Sequence, residues 1–258
     1  MSGPADGRGA ARSPWLPPEP GRAEAPLRLY CLPHAGAGPL AFLGWERALA
    51  PEIDPVPLCP PGRERRYWDP PYCALPPYVA ALADVLREDA DRPYALFGHS
   101  VGALVAFELA RALRATGAPD PVHLFVSGRI APQLADPRPA LHTLPDDALV
   151  RELVRFGGLP ENALRSPEIL DLVLPVLRAD LAVNETYRHV PQPPLEIPVT
   201  VFGGAADPKV ERDELWAWQE QAAGFFEVVQ FEGGHFFTRD RREDLLAAIA
   251  ARLVAVRA

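Results

Sequence analysis

Three cysteines, one methionine and a single lysine, Lys209, are all that this 258-residue chain holds of those types, and each scarcity excludes a class of protein. Cys31, Cys59 and Cys73 are odd in number and lack the paired spacing of a zinc site. They therefore give neither a disulfide framework nor a metal centre, and read as reduced thiols of a cytoplasmic protein. No apolar run reaches the roughly 18 residues of a membrane-crossing helix. Met1 to Pro26 lacks the basic-then-apolar order of a secretory signal and, rich in Pro, Gly, Ala and Arg, reads as a disordered leader. Acidic residues outnumber basic ones 34 to 26, a net charge of −8, which speaks against nucleic acid or an anionic membrane as partner. What is abundant is apolar surface: 48% of the residues are hydrophobic, enough at this length for one sizeable core.

From Leu27 onward short apolar runs alternate with longer amphipathic ones. Leu27 to Leu32, Ile53 to Leu58, Tyr94 to Phe97, Val122 to Val126, Pro198 to Phe202 and Phe225 to Phe231 have strand character. Leu40 to Leu49, Tyr78 to Leu86, Val101 to Ala115, Val210 to Gln221 and Glu243 to Val256 have helical spacing. Such a β-α order predicts an α/β domain over residues 27–258, a mostly parallel sheet with helices on both faces and ligands at the carboxyl ends of the strands. Arg129 to Val190 interrupts the rhythm and is far longer than an ordinary connection. Asp146-Asp147 can cap a segment with Leu149, Val150, Leu153, Val154 and Phe156 on one face, ended by Gly157-Gly158 and Pro160. A second segment after Ser166-Pro167, kinked at Pro175, carries Ile169, Leu170, Val173, Leu174, Leu177 and Leu181. Extra helices on the core would satisfy this pattern. A lid over the carboxyl edge satisfies it and explains its position.

Gly98-His99-Ser100-Val101-Gly102 sits where a strand pattern meets a helical one, the setting of a nucleophile elbow. The spacing alone arises by chance in about one chain in ten of this length, so its neighbours must decide. A serine needs a base, and the base a carboxylate, in the chain order Ser, Asp, His. Asp207 follows the strand ending Phe202-Gly203-Gly204, and His235 lies in Glu232-Gly233-Gly234-His235 after the next one. All three then fall at one edge of the sheet as nucleophile, orienting acid and base. Asp207 before Pro208 also suits a helix N-cap, and the two roles are compatible. An oxyanion hole needs the N–H of Val101 and one from the loop Leu32-Pro33-His34-Ala35-Gly36-Ala37-Gly38, where Ala35 is the candidate. His34 reads as a loop anchor and His99 as packing beside the elbow. His123, His142 and His189 lack triad partners, and no metal or other cofactor is expected.

Leu32 to Ala37, Pro61-Gly62-Arg63-Glu64-Arg65-Arg66, Gly98 to Ala103, Ser127-Gly128-Arg129 and Gly233-Gly234-His235-Phe236-Phe237 together resemble the type II thioesterases of polyketide and nonribosomal peptide assembly lines, α/β-hydrolase enzymes. The resemblance runs from Leu27 to Arg252. Val101 stands where that family often has methionine, a change that leaves the backbone N–H in place. The resemblance implies a discrete enzyme that edits acyl or peptidyl carrier proteins, hydrolysing misprimed or stalled acyl groups from the phosphopantetheine thiol, which belongs to the substrate. A carboxylesterase, a cyclising thioesterase domain and a catalytically silent binding module are the alternatives; the chain's length and short leader favour the free-standing hydrolase. Arg63, Arg65 and Arg66 are candidates for docking an acidic carrier by electrostatic steering, against a reading in which the loop merely braces its neighbours. Pathway, acyl preference and oligomeric state are not legible in the sequence.

Overall fold

The computed structural model describes residues 12–159 and 166–255. Strands β1 (Leu27–Leu32), β2 (Ile53–Pro57), β3 (Tyr94–His99), β4 (His123–Ser127), β5 (Val199–Gly204) and β6 (Phe226–Phe231) form one parallel sheet in the order β2-β1-β3-β4-β5-β6. The helices are α1 (Trp45–Ala48), α2 (Leu75–Asp89), α3 (Val101–Ala115), α4 (Asp146–Arg155), α5 (Pro167–Glu185), α6 (Arg212–Trp216), α7 (Phe237–Asp240) and α8 (Arg242–Ala255). Strand alternation sorts the core in two. Tyr30, Leu32, Leu96, Leu124 and Val201 face α2 and α3, with Leu82, Leu86, Leu104 and Phe107. Leu29, Cys31, Phe97, Phe125 and Phe202 face α1 and α8, with Trp45, Leu245 and Ile249. Both faces of a parallel sheet are thus covered, as its unbroken apolar strands require. The strand order reverses between β1 and β3, so the loops leaving those two strands part and open a crevice at their carboxyl ends. No described helix is long and apolar enough to cross a membrane.

Local chemistry moves several boundaries. Pro76 and Pro77 occupy the first turn of α2, where a missing N–H costs nothing, so the helix starts ahead of Tyr78. The Leu40 to Leu49 pattern divides into a 3-10 turn, Pro39–Phe42, and α1, separated by Gly44 at φ 87°. Val210 to Gln221 becomes α6 followed by another 3-10 turn, Ala217–Gln221. Asp146 and Asp147 do not cap α4. Pro145 holds that place without a side-chain bond, and the two carboxylates lie in the first turn, where they complement the helix dipole. Gly157, at φ 76°, follows the end of α4, while Pro160 lies outside the described residues. Helix α5 runs as one element through Pro175.

The expected disordered leader is corrected for residues 12–26; residues 1–11 lie outside the described part. Trp15 and Leu16 are 5% and 4% exposed, within the α2–α3 core. The Trp15 ring lies 6.1 Å from Tyr72 and 5.4 Å from Tyr78, its carbonyl accepts the Cys59 N–H at 2.9 Å, and Arg65 donates to the carbonyls of Pro14 and Leu16. Proline-rich composition resembles disorder, but one buried tryptophan supplies enough apolar area to hold such a segment.

The insertion between β4 and β5 has its own small core, Leu149, Leu153, Leu159, Leu174, Leu177 and Leu181, packed against Ala35. A buried ion pair ties it down. Asp180 of α5 accepts from Arg63 at 2.6 and 2.9 Å and from the Gly36 N–H at 2.7 Å; the two side chains are 4% and 7% exposed. Removing one partner leaves a buried charge alone, whereas replacing both with apolar groups does not. Asp180→Ala is expected to lower the unfolding free energy by about 3–5 kcal/mol. The double replacement Arg63→Met with Asp180→Leu is expected to cost less than either single change, as measured by urea denaturation.

His123 in β4 is enclosed by a hydrogen-bonded chain. Thr200 gives its one proton to Glu227 at 2.9 Å, so the His123 Nε2 must donate to the Thr200 Oγ1, also at 2.9 Å. Nδ1 is then a buried lone pair without a partner among the described residues. Burial pushes this histidine down to about 4. Between pH 6.5 and 4 the unfolded chain therefore binds the extra proton. Stability is full above about pH 6.5 and falls toward pH 4, by on the order of 3 kcal/mol for this residue. His123→Gln should flatten the decline of the urea midpoint across that window; an unchanged slope would assign the decline to other groups.

Candidate active site

Ser100 joins β3 to α3 with φ 57° and ψ −117°, a strained backbone for a residue bearing a side chain. Its two glycines are required by close approach. A Cβ on Gly98 would lie 2.0 Å from the Gly102 carbonyl oxygen, and one on Gly102 would lie 2.3 Å from that of Leu32. The sharp turn presses α3 onto β1 and β3 and holds Ser100 at the crevice between them.

Asp207 and His235 arrive from the loops after β5 and β6. These loops pack directly on one another: a Cβ on Gly204 would meet the Gly234 carbonyl oxygen at 2.3 Å, and the Ala206 N–H donates to the Gly233 carbonyl at 2.9 Å. The His235 Nδ1 lies 2.8 Å from the Asp207 Oδ2, both side chains at most 4% exposed. A carboxylate can only accept, so Nδ1 carries the proton and Nε2 keeps a lone pair. The other oxygen, Oδ1, accepts the Lys209 N–H at 2.8 Å. Asp207 thus stabilises a turn rather than a helix end; Glu211 is the N-cap residue of α6, with its own N–H donated to Glu214 at 2.8 Å.

Ser100 and His235 line one cavity with His34, Ala35, Leu153, Phe156, Gly158, Leu177, Leu181, Lys209 and Phe236. Helices α4 and α5 therefore roof the serine. The cavity is about 30 Å³, room for a water-sized guest. A larger groove of about 490 Å³, between the N-terminal segment and the β2 edge, is lined by none of the triad candidates. The Ala35 N–H donates to no acceptor among the described residues, and Val101, first in α3, has an N–H without an intrahelical acceptor. Both are available to a developing negative charge. Gly36, at φ 75° and against Leu177, fixes that loop.

The other histidines fill supporting places. The His34 ring packs edge-on to His99 and Phe236, and burial holds it down to about 4. His99, 2.9 Å from the Ser127 Oγ through Nδ1, is pushed well below the usual range, first by burial and then by His235 and His34. Both are neutral at neutral pH. His142 meets Glu185 at 2.6 Å, and His189 is half-buried. Among the described residues no His, Cys or carboxylate cluster could hold a metal.

Of the three arginines expected to dock a carrier, the structure withdraws Arg63 from the surface and gives Arg65 and Arg66 partners within the chain. Arg63 is buried on Asp180, Pro61 and Ala37. Arg65 clasps the N-terminal segment. Arg66 lies 4.7 Å over the Trp15 ring and donates to Asp69 and to the Cys59 carbonyl. Arg63 is thus buried and Arg66 half-buried, while Arg65 is exposed with its guanidinium on backbone carbonyls. Two participants escaped the sequence reading: Asp180, whose signal was a carboxylate within an apolar helical run, and Lys209, marked only by being the one lysine and standing two residues after Asp207.

Residues 27–253 match the thioesterase domain family. The chain is 39% identical over 229 residues to the gramicidin S biosynthesis protein GrsT of Aneurinibacillus migulanus, covering 89% of this chain and 90% of GrsT. RedJ, a thioesterase from the prodiginine pathway of Streptomyces coelicolor, superposes with a TM-score of 0.84 at 44% identity, over 89% of this chain and 91% of RedJ. The type II thioesterase BorB from the borrelidin cluster gives 0.85 at 36% identity, over 95% and 99%. Similarity of this extent means that the chain belongs to the thioesterase family and shares its α/β-hydrolase fold.

Proposed function

We propose that this protein hydrolyses acyl groups from the phosphopantetheine thiol of acyl or peptidyl carrier proteins, editing polyketide or nonribosomal peptide synthesis. The observation that carries the reading is the buried Asp207–His235 pair, set on the same small cavity as the strained Ser100. The names of GrsT, RedJ and BorB supply the biosynthetic context. Three free thiols fit a reducing compartment, the cytoplasm.

In this reading the Ser100 Oγ attacks the thioester carbonyl and its proton passes to the His235 Nε2. The Ala35 and Val101 N–H groups receive the oxyanion. The tetrahedral carbon collapses with cleavage of the C–S bond, and His235 returns its proton to the departing thiolate. A water then gives a proton to His235 and attacks the acyl-serine ester. Collapse of the second tetrahedral carbon releases the free acid and restores the Ser100 hydroxyl. Asp207 stays ionised and keeps the imidazole in its working tautomer.

The test compares acyl-carrier thioesters with matched oxygen esters. Wild type should be labelled at Ser100 by a fluorophosphonate and should favour the thioesters. Ser100→Ala should lose labelling while keeping its melting temperature. Asp207→Asn should lower kcat by about 10⁴-fold, because the imidazole then takes the wrong tautomer. Equal or faster turnover of the oxygen esters would point to a carboxylesterase, and an unlabelled wild-type serine to a binding module.

A further inference from the structure

The cavity beside Ser100 holds a cation that the hydrolysis does not use. The Lys209 Nζ lies 3.6 Å over the Phe156 ring at the end of α4, and both side chains line the same small space as Ser100 and His235. Among the described residues, no hydrogen bond or ion pair reaches this ammonium. The carboxylates that face it are engaged elsewhere. Asp207 spends its oxygens on His235 and on a backbone N–H, Asp136 is held by Arg138, and Glu185 receives His142 and two backbone amides. Arg138, which also donates to the Lys209 carbonyl, adds a second positive charge nearby.

A charge in an apolar, roofed space needs a partner of opposite sign, and an aromatic face compensates it only in part. A purely alkyl guest that displaced Phe156 would remove even that. We propose that Lys209 reads a carboxylate on the acyl group, so that the site takes short acyl chains ending in a carboxylate, half-thioesters of the malonyl type. Ser100 and Lys209 line the same cavity, so the carboxylate that Lys209 meets is one close to the carbonyl under attack, as in a malonyl group. This inference rests on the thioesterase reading above. Burial, followed by Arg138, lowers the ammonium to about 8, so it is charged at neutral pH and loses its charge as the pH rises through about 8. Glu185, Asp207 and Asp136 act in the opposite direction.

The test uses N-acetylcysteamine thioesters of malonate and of its uncharged isostere, isovalerate, with thiol release and the acid product both measured. In wild type the malonyl-to-isovaleryl ratio of kcat/KM should fall as the pH is raised from 7 to 9. At pH 7 it should drop about tenfold or more in Lys209→Met and be better retained in Lys209→Arg. A ratio unchanged in Lys209→Met, or equal loss of both substrates, overturns the carboxylate role while leaving the thioesterase reading intact. Failure of wild type to cleave either thioester, or a carrier-bound acyl group, overturns the thioesterase reading itself.

Discussion

The Asp180 carboxylate accepts the Gly36 N–H and two nitrogens of Arg63 at once, and the geometry of the catalytic edge depends on this one convergence. Gly36 follows Ala35, which lines the cavity beside Ser100. Arg63 also holds the Ala37 and Pro61 carbonyls. Asp180 sits in the helix that carries Leu177 and Leu181 over Ser100. Roof, the loop after β1 and the segment after β2 therefore share one buried charge pair. Such a pair contributes little net stability against an apolar alternative, but it penalises every arrangement that leaves either partner alone. That penalty fixes the register of the roof against the sheet.

Around this fixed frame the reactive groups come from strand ends that diverge. Ser100 leaves β3, Ala35 follows β1, and Asp207 and His235 leave β5 and β6. The reversal of strand order between β1 and β3 opens the space they share. Glycines at 98, 102 and 204 let backbone touch backbone at distances that a Cβ forbids. Burial keeps His34 and His99 neutral, so the Asp207 carboxylate orients His235 without a competing positive imidazolium beside it. Charge in this region is managed locally, and the overall −8 has little bearing on it.

Fold class, strand order along the chain, the elbow and the Ser-Asp-His order were legible because each rests on local rules. Apolar period distinguishes strand from helix, glycine marks close approach, and reactive residues follow strand ends. Boundaries at Leu75 and Gly44 shifted by the conformational demands of a few prolines and glycines, which periodicity does not register. The N-terminal segment was misread because its composition resembles disorder, while its order comes from Trp15 against Tyr72 and Tyr78, partners distant in sequence.

The arginines at 63, 65 and 66 mark the limit most clearly. The sequence determined that three cations lie on a loop near the catalytic edge, but a cation on a loop is either a steering charge or a brace according to what comes within hydrogen-bond reach. Asp180, the Pro14 and Leu16 carbonyls and the Trp15 ring reach that loop only when the chain folds. The placement of Lys209 on the Phe156 ring follows the same rule. Spacing along the chain specified which chemical groups line the edge; long-range packing decided which of them are spent on one another and which still face the cavity, because ion pairs and hydrogen bonds act over a few ångströms of space rather than over intervals of sequence.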